Sequence, residues 1–275
     1  MVMRMRFAAF LLVVLTLIAI GCGSSEKAVS TMTADERFAH AKALYDDGDY
    51  LEAINEFTVI TLQYQGSTHA ADAQFYLGEC RFQRGEYLLA SFEYGVVRRN
   101  YPASPRAQEA QYKLALSYYE LSPRYNLDQQ YTRKAIDEFQ AFVEYYPSNP
   151  LVADADAKIK ELTNRLAKKQ YESARLYTTM EYYKAALMYY DDVIDRYHDT
   201  EYAPLAYLDK TELLLSRRRY REARETLDAF AARFPQSVLQ SRADALRKQL
   251  DRAAPKSGQA GAGGKPEQHA QNGQL

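Results

Sequence analysis

A tyrosine followed three positions later by an alanine recurs along this chain and limits the folds open to it. Two copies lie 37 residues apart near the start of the chain, and two more lie 37 apart near its end. A fifth alanine, Ala135, follows Thr132 in place of the tyrosine. A fixed period of this length is typical of repeat proteins, in which each unit buries its apolar face against the next. The four complete pairs are Tyr50/Ala53, Tyr87/Ala90, Tyr183/Ala186 and Tyr220/Ala223.

The residues that follow each alanine predict a helix. Large apolar side chains come four and seven positions later, which places them on one helical face. The small alanine lets a neighbouring helix approach closely, and in three copies a proline twelve positions on ends the helix. We therefore predict an all-α fold, a solenoid of about five helical hairpins. The residues at plus four are Phe57, Tyr94, Phe139, Tyr190 and Leu227, those at plus seven are Ile60, Val97, Phe142, Val193 and Phe230, and the prolines are Pro102, Pro147 and Pro235.

The second copy resembles the tetratricopeptide repeat (TPR) family most clearly. It departs from that family at Gln74, where tryptophan is usual, and the chain contains no tryptophan. The family period is about 34 residues, so a period of 37 implies slightly longer helices or turns. The resemblance implies a TPR solenoid whose first helices line a concave face. The matching residues are Leu77, Gly78, Gly85, Tyr87, Ala90, Tyr94 and Pro102.

The N-terminus has the pattern of an exported lipoprotein. Arg4 and Arg6 precede an apolar run of 14 residues at 7–20, which is short for a membrane span and typical of a secretory signal. Ala19-Ile20-Gly21-Cys22 resembles a bacterial lipobox, which implies that Cys22 is lipidated. No acidic residue directly follows Cys22, and by analogy with enteric bacteria this favours the outer membrane. The alternative is an ordinary cleaved signal with an incidental cysteine.

Composition and repeat spacing predict the organisation of the chain. The third copy has eight extra residues, which fall in the stretch at 122–130 and predict a long turn, either a binding insertion or a tolerated one. The unbroken stretch at 151–177 predicts an elongated first helix for the fourth copy, with a helix break near Thr179. We predict a signal peptide at 1–21, a lipidated tether at 22–34, TPR copies one to three at 35–147, a long linking helix with copies four and five and a capping helix at 148–252, and a disordered tail at 253–275.

No catalytic, metal or cofactor motif is visible in the sequence. The four histidines lack ligand-like spacing, and no HExxH, CxxC, Walker or GxSxG pattern is present. We therefore expect no enzyme activity, no metal and no cofactor. The chain has 35 Lys and Arg against 36 Asp and Glu, so nothing favours binding to a phosphate backbone, and we expect no nucleic-acid partner. Cys80 is predicted to be a small buried residue.

Aromatic residues recur at matching places in the first helices of copies one to three. Two rows step by 37 residues, and the two members within each helix are seven apart, hence on one face. One interpretation is an aromatic groove that binds an extended, apolar peptide. The other is core packed between repeats. The rows are Phe38, Phe75, Tyr112 and Tyr45, Phe82, Tyr119.

The order of these parts resembles the BamD family, the TPR lipoproteins of the outer-membrane β-barrel assembly machine. Specific likenesses are Tyr146-Pro147-Ser148-Asn149, Arg165-Leu166-Ala167-Lys168 and residues 181–185. The resemblance implies a scaffold, lipid-anchored in the outer membrane and facing the periplasm. It implies that the C-terminal repeats bind the POTRA part of the barrel-forming subunit, and that the N-terminal repeats handle aromatic-ended segments of unfolded outer-membrane proteins. The alternative is a generic TPR adaptor of pilus assembly or cell-envelope maintenance.

Overall fold

The computed structural model describes residues 31–253, and this part of the chain is entirely helical. Its eleven helices confirm the predicted all-α fold. None of them is long and apolar enough to cross a membrane. The helices are α1 (Ala34–Asp46), α2 (Tyr50–Gln63), α3 (Ala70–Gln83), α4 (Tyr87–Asn100), α5 (Arg106–Leu121), α6 (Gln130–Tyr145), α7 (Val152–Thr179), α8 (Tyr183–Arg196), α9 (Tyr202–Ser216), α10 (Tyr220–Arg233) and α11 (Gln240–Ala253).

The repeated alanine is the point at which two helices approach each other. In all five copies its side chain is fully buried, because it lies on the face of the second helix that packs against the first helix of the hairpin. The apolar side chains four and seven positions later are at most 2% exposed, which accounts for the hairpin packing. The predicted helical hairpins are therefore confirmed in their core. The five alanines are Ala53, Ala90, Ala135, Ala186 and Ala223.

Close packing also requires a glycine in the second hairpin. A Cβ on Gly78 in α3 would lie 2.7 Å from the ring of Tyr94 in α4, closer than carbon atoms approach. Tyr94 is fully buried, and its hydroxyl donates to Glu79 at 2.5 Å. Burial raises the pKa of this phenol first, and the nearby Glu79 charge raises it further. The Leu77-Gly78 motif thus marks the closest contact of the hairpin.

The stretch at 122–130, the long helix and Cys80 have the following structure. The inserted turn separates Leu121 from Gln130, and the buried amide of Gln129 donates to the carbonyl oxygen of Arg124 at 2.8 Å. The long helix α7 ends at Thr179, the predicted break. Cys80 is fully buried and free, and burial raises the pKa of its thiol to about 12.

The chain divides into two compact units, Met1–Leu162 and Thr163–Leu275, with the boundary inside α7. The described part of the first unit contains α1 to α6 and the start of α7. The second contains the rest of α7 and α8 to α11. In the second unit, α11 closes the core, since Leu246 packs in one cluster with Leu227 and Phe230 of α10.

Candidate functional site

The six aromatic residues of the two predicted rows lie on α1, α3 and α5, and we call their surface the first-helix face. Consecutive first helices contact each other along it. Arg106 of α5 donates to Asp72 of α3 at 2.8 Å, and Lys113 of α5 lies 2.9 Å from Glu79 of α3. The structure therefore brings the members of both rows onto neighbouring helices of the first unit.

Two of the six rings belong to the core. Phe75 is 2% exposed and lies 5.7 Å from the ring of Tyr94. Tyr112 is 8% exposed and lies 5.4 Å from the ring of Phe142. Its hydroxyl donates to Asp154 of α7. Burial, followed by this hydrogen bond, raises the pKa of the Tyr112 phenol, so it remains a donor. These two rings hold helices together and offer little surface to a ligand.

The other four rings are half-buried and reach solvent along the first-helix face. Phe38 stacks on His69 at 4.5 Å, and Phe82 packs edge-on against Tyr87 at 5.1 Å. Each ring is thus held in place by a neighbour, which lowers the entropic cost of presenting it to a ligand. The four rings available to a ligand are Phe38, Tyr45, Phe82 and Tyr119.

Cations cover the aromatic rings, a feature that the sequence analysis missed. Lys113 lies 5.4 Å from the centre of the Phe82 ring, and Lys158 lies 4.6 Å from that of Tyr119. Each of these cations also faces a carboxylate, Lys113 that of Glu79 and Lys158 that of Asp154, so the charges of both are compensated. Arg106 and Lys113 are seven residues apart, like the rings, and this spacing is the signal that could have revealed them.

The second unit exposes a different surface around the turn between α7 and α8. Four large apolar side chains there are more than half exposed, and we call them the C-terminal apolar surface. In this turn the backbone of Glu181 has a φ of 61°, in the left-handed region that favours glycine. Beside it, the guanidinium of Arg217 lies 4.4 Å from the Tyr183 ring. The four side chains are Leu176 (58%), Met180 (51%), Tyr182 (59%) and Met188 (65%).

A polar cleft of about 820 Å³ lies in the second unit between α7, α8, α9 and α11, and it shares Leu176 with the C-terminal apolar surface. Its charges are paired with one another. Arg242 contacts Asp209 at 2.5 Å and Glu212 at 2.9 Å, and the hydroxyl of Tyr171 donates to Asp209 at 2.6 Å. This network joins three helices, so we assign it to the packing of the unit.

The predicted lipidation site, Cys22, lies outside the described residues. Within residues 31–253, no group of three or more His, Cys, Asp or Glu side chains is arranged to hold a metal ion. The first-helix face and the C-terminal apolar surface offer contact with apolar and aromatic side chains.

The sequence model of the family described as "YfiO: Outer membrane lipoprotein" matches residues 30–214, which include all of α1 and reach into the last turn of α9. The chain is also 28% identical, over 134 residues, to the "Outer membrane protein assembly factor BamD" of Rickettsia prowazekii. That match covers 49% of this chain, and it spans about half (53%) of the length of the relative.

Two solved structures resemble the chain at the level of helical repeats. One is described as "TPR2AB-domain:pHSP90-complex of yeast Sti1", with 17% identity and a TM-score of 0.40, covering 80% of this chain and 98% of that one. The other is a tetratricopeptide repeat protein from Parabacteroides merdae, with 16% identity and a TM-score of 0.35, covering 80% of this chain and 75% of that one.

Proposed function

This chain belongs to the outer membrane lipoprotein family YfiO, and we propose that it is a non-enzymatic scaffold of outer-membrane β-barrel protein assembly. The observation that carries the proposal is the family match over residues 30–214, which includes both the first-helix face and the C-terminal apolar surface. The similarity to an outer membrane protein assembly factor supports it. In this proposal each surface has one partner.

The first-helix face is proposed to bind unfolded outer-membrane proteins. Along the strands of such barrels, apolar side chains that face lipid alternate with polar ones, and aromatic residues form girdles at both membrane interfaces. Segments of these proteins therefore offer rings to a surface of rings. Half-buried rings such as Phe82 and Tyr119 gain contact area when a second ring packs on them. The paired cations beside them add a cation–π contact without favouring acidic segments.

The C-terminal apolar surface is proposed to bind the POTRA part of the barrel-forming subunit. Exposed side chains such as Tyr182 and Met188 are costly in a free protein, and an apolar surface of this kind is typical of an interface. Glu181, in the left-handed region, shapes the turn that presents them.

A lipid on Cys22 would complete the proposed arrangement. Diacylglycerol and a further acyl chain together anchor a protein firmly, since each buried methylene contributes about 0.8 kcal/mol. The protein would then lie on the periplasmic face of the outer membrane, attached through residues 22–34.

The proposal is tested by capture from detergent-solubilised membranes of the native host. The tagged full chain should retain a barrel-forming POTRA protein, and Met188→Glu should abolish that capture because a charge is placed in an apolar interface. Val238→Glu is the matched control, since Val238 is 96% exposed in the same unit. If the chain instead retains pilus or envelope-maintenance proteins and no POTRA protein, it is a generic TPR adaptor and the proposal is wrong.

A further inference from the structure

A groove on the first unit lies between the second helices of its repeats, away from the first-helix face. It is about 470 Å³ in volume and is formed by α4, α5 and α6. We call it the second-helix groove. Its walls and floor come mainly from Leu88, Leu89, Phe92, Gly95, Arg99 and Tyr118.

The apolar wall of this groove is not required by the repeat. Phe92 is 60% exposed and Leu88 is 52% exposed, although both lie on a helix whose other face is fully buried. The position of Phe92, two after the repeated alanine, holds Asn55, Asp137 and Glu225 in three of the other four copies. An exposed ring at a position that usually carries a polar side chain is a mark of an interaction surface.

The floor of the groove is a glycine that the packing of the chain does not demand. Gly95 lies in the middle of α4, where glycine costs about 1 kcal/mol relative to alanine. A Cβ there would meet only the end of the flexible Arg99 side chain, at 3.0 Å. The equivalent positions of the other copies are Thr58, Gln140, Asp191 and Asp228. The missing side chain therefore leaves space at the floor that only the end of the flexible Arg99 side chain enters.

The charge around the groove is positive. Arg98 is paired with Glu138 at 3.0 Å. Arg99 is exposed, and Lys134 lies 5.2 Å from the ring of Tyr118; within residues 31–253 neither forms an ion pair. This differs from the first-helix face, where the cations face carboxylates. Two uncompensated cations beside exposed apolar side chains favour a ligand that has acidic and apolar side chains together.

We propose that the second-helix groove binds an acidic, apolar segment of a partner protein, with a large apolar side chain seated over Gly95 and a carboxylate on Arg99. The proposal goes beyond the assembly function, because neither of the two surfaces assigned above includes this groove. A recessed floor takes up a single side chain of a peptide, whereas a membrane surface contacts side chains that protrude.

The test measures binding of labelled peptides to the purified full chain by fluorescence anisotropy. The probe alternates Leu or Phe with Glu; one matched peptide has Lys for each Glu, and another has Ser for each Leu and Phe. The acidic, apolar probe should bind about tenfold or more tightly than either. Vesicles containing phosphatidylglycerol, tested by co-sedimentation, serve as the membrane alternative.

The decisive variant is Gly95→Gln, which fills the floor with the residue that the third copy has at this position. It should weaken probe binding about tenfold or more while the melting temperature stays the same or rises, because glutamine favours the helix. Thr58→Gln, the same substitution at the equivalent position of α2, should leave binding unchanged. Arg99→Glu should turn the preference from the Glu peptide to the Lys peptide.

Three results would overturn the proposal. One is equal binding of the Glu and Lys peptides. Another is probe binding that neither Gly95→Gln nor Arg99→Glu alters. The third is vesicle binding that Arg99→Glu abolishes while no peptide binds, which would assign the groove to a membrane surface.

Discussion

The side-chain amide of Gln111 donates to both the carbonyl oxygen and the carboxylate of Glu138, at 2.9 and 3.0 Å. Gln74, 37 residues earlier, makes the same pair of bonds to Glu93, at 3.3 and 2.6 Å. Both amides are buried. These bonds fasten the first helix of a hairpin to its second helix at the place where the TPR family usually has tryptophan. We call each of these hydrogen-bonded pairs a polar clamp. The clamp takes the place of a large ring, because the buried amide and its partners satisfy one another's hydrogen-bonding groups.

Replacing Gln111 by Leu should lower the free energy of unfolding by about 1–3 kcal/mol, because the buried amide donates two hydrogen bonds to Glu138 and accepts one from Arg98, and all three would be lost. Urea unfolding of the purified protein measures the change. Gln140→Leu, at an exposed position of α6, is the control and should have little effect. Equal stability of Gln111→Leu and the parent would show that the clamp contributes nothing.

The clamp at Glu93 should make stability depend on pH. Burial raises the pKa of the Glu93 carboxyl, and the hydrogen bond from Gln74 offsets part of this effect. A carboxyl whose folded pKa is raised adds stability below its unfolded pKa, and that stability is lost as the pH rises through the folded pKa. Glu93→Gln should therefore stabilise the protein most near neutral pH, and the gain should shrink towards about pH 4.

Melting temperatures at a series of pH values measure this effect. Glu52→Gln on α2 is the control, because Glu52 is exposed in the first turn of its helix. A difference between parent and Glu93→Gln that stays constant with pH would exclude Glu93 as the titrating group.

The spacing of Ala90 and its relatives was enough to predict the hairpins, because a close helix contact needs a small residue at a fixed place. The same spacing could not separate Phe75 from Phe82. Both lie on one face of α3, seven residues apart, and only the packing of the neighbouring helices buries the first and leaves the second half-exposed. Whether the half-exposed rings bind a peptide stays a prediction.

The groove floored by Gly95 escaped the sequence analysis for a different reason. A glycine inside a helix signals either a close contact or an opening, and the sequence does not say which. At Gly78 the structure shows a close contact, because the Tyr94 ring occupies the space of a Cβ. At Gly95 only the end of the Arg99 side chain lies near that space. The Lys113–Phe82 contact was missed because it joins two repeats.

The hairpin turns offer a reciprocal pair of substitutions. Gly85, in the turn between α3 and α4, has a φ of 73°. Glu181 has the equivalent place in the turn between α7 and α8, and its φ is 61°. Gly85→Ala should cost about 1–2 kcal/mol, since a Cβ is disfavoured in the left-handed region. Glu181→Gly should stabilise by about 1 kcal/mol or less, because the greater freedom of unfolded glycine offsets part of the relief.

Chemical denaturation of both variants checks the pair. Arg218→Gly, with a φ of 59° at the parent residue, should behave like Glu181→Gly. Destabilisation by Glu181→Gly would mean that the Glu181 side chain makes a contact worth more than the strain.

The proposed lipid anchor is tested by Cys22→Ser. Without a thiol, diacylglycerol cannot be attached, so the variant should remain uncleaved or behave as a soluble protein. Mass spectrometry of the mature protein and fractionation with a carbonate wash give the two readouts. Cys80→Ser is the control, because Cys80 is buried in α3 and lies far from the signal in sequence. A Cys22→Ser protein that matures normally and stays with outer membranes would contradict the lipobox interpretation.

The first-helix face can be tested by separating stability from binding at two rings of one helix. Phe75→Ala should cost about 3–5 kcal/mol, because Phe75 is 2% exposed and the substitution leaves a cavity in the core. Phe82→Ala should cost less than about 2 kcal/mol, because its half-buried ring leaves no closed cavity. Peptides that end in an aromatic residue should bind the purified chain and lose affinity in Phe82→Ala, since the ring that they contact is gone.

The melting temperature and the peptide dissociation constant, measured on the same samples, distinguish a binding ring from a packing ring. Tyr145→Ala is the control, because Tyr145 is 68% exposed on α6, outside the first-helix face. Tyr119→Ala should follow Phe82→Ala, since its ring is also half-buried and lies beside Lys158. If Phe82→Ala unfolds as readily as Phe75→Ala, the Phe82 ring belongs to the core like that of Phe75. A ring that contributes contact area cannot be lost without a change in affinity. If peptides bind equally well after each of the four half-buried rings is removed in turn, the first-helix face is therefore not their site.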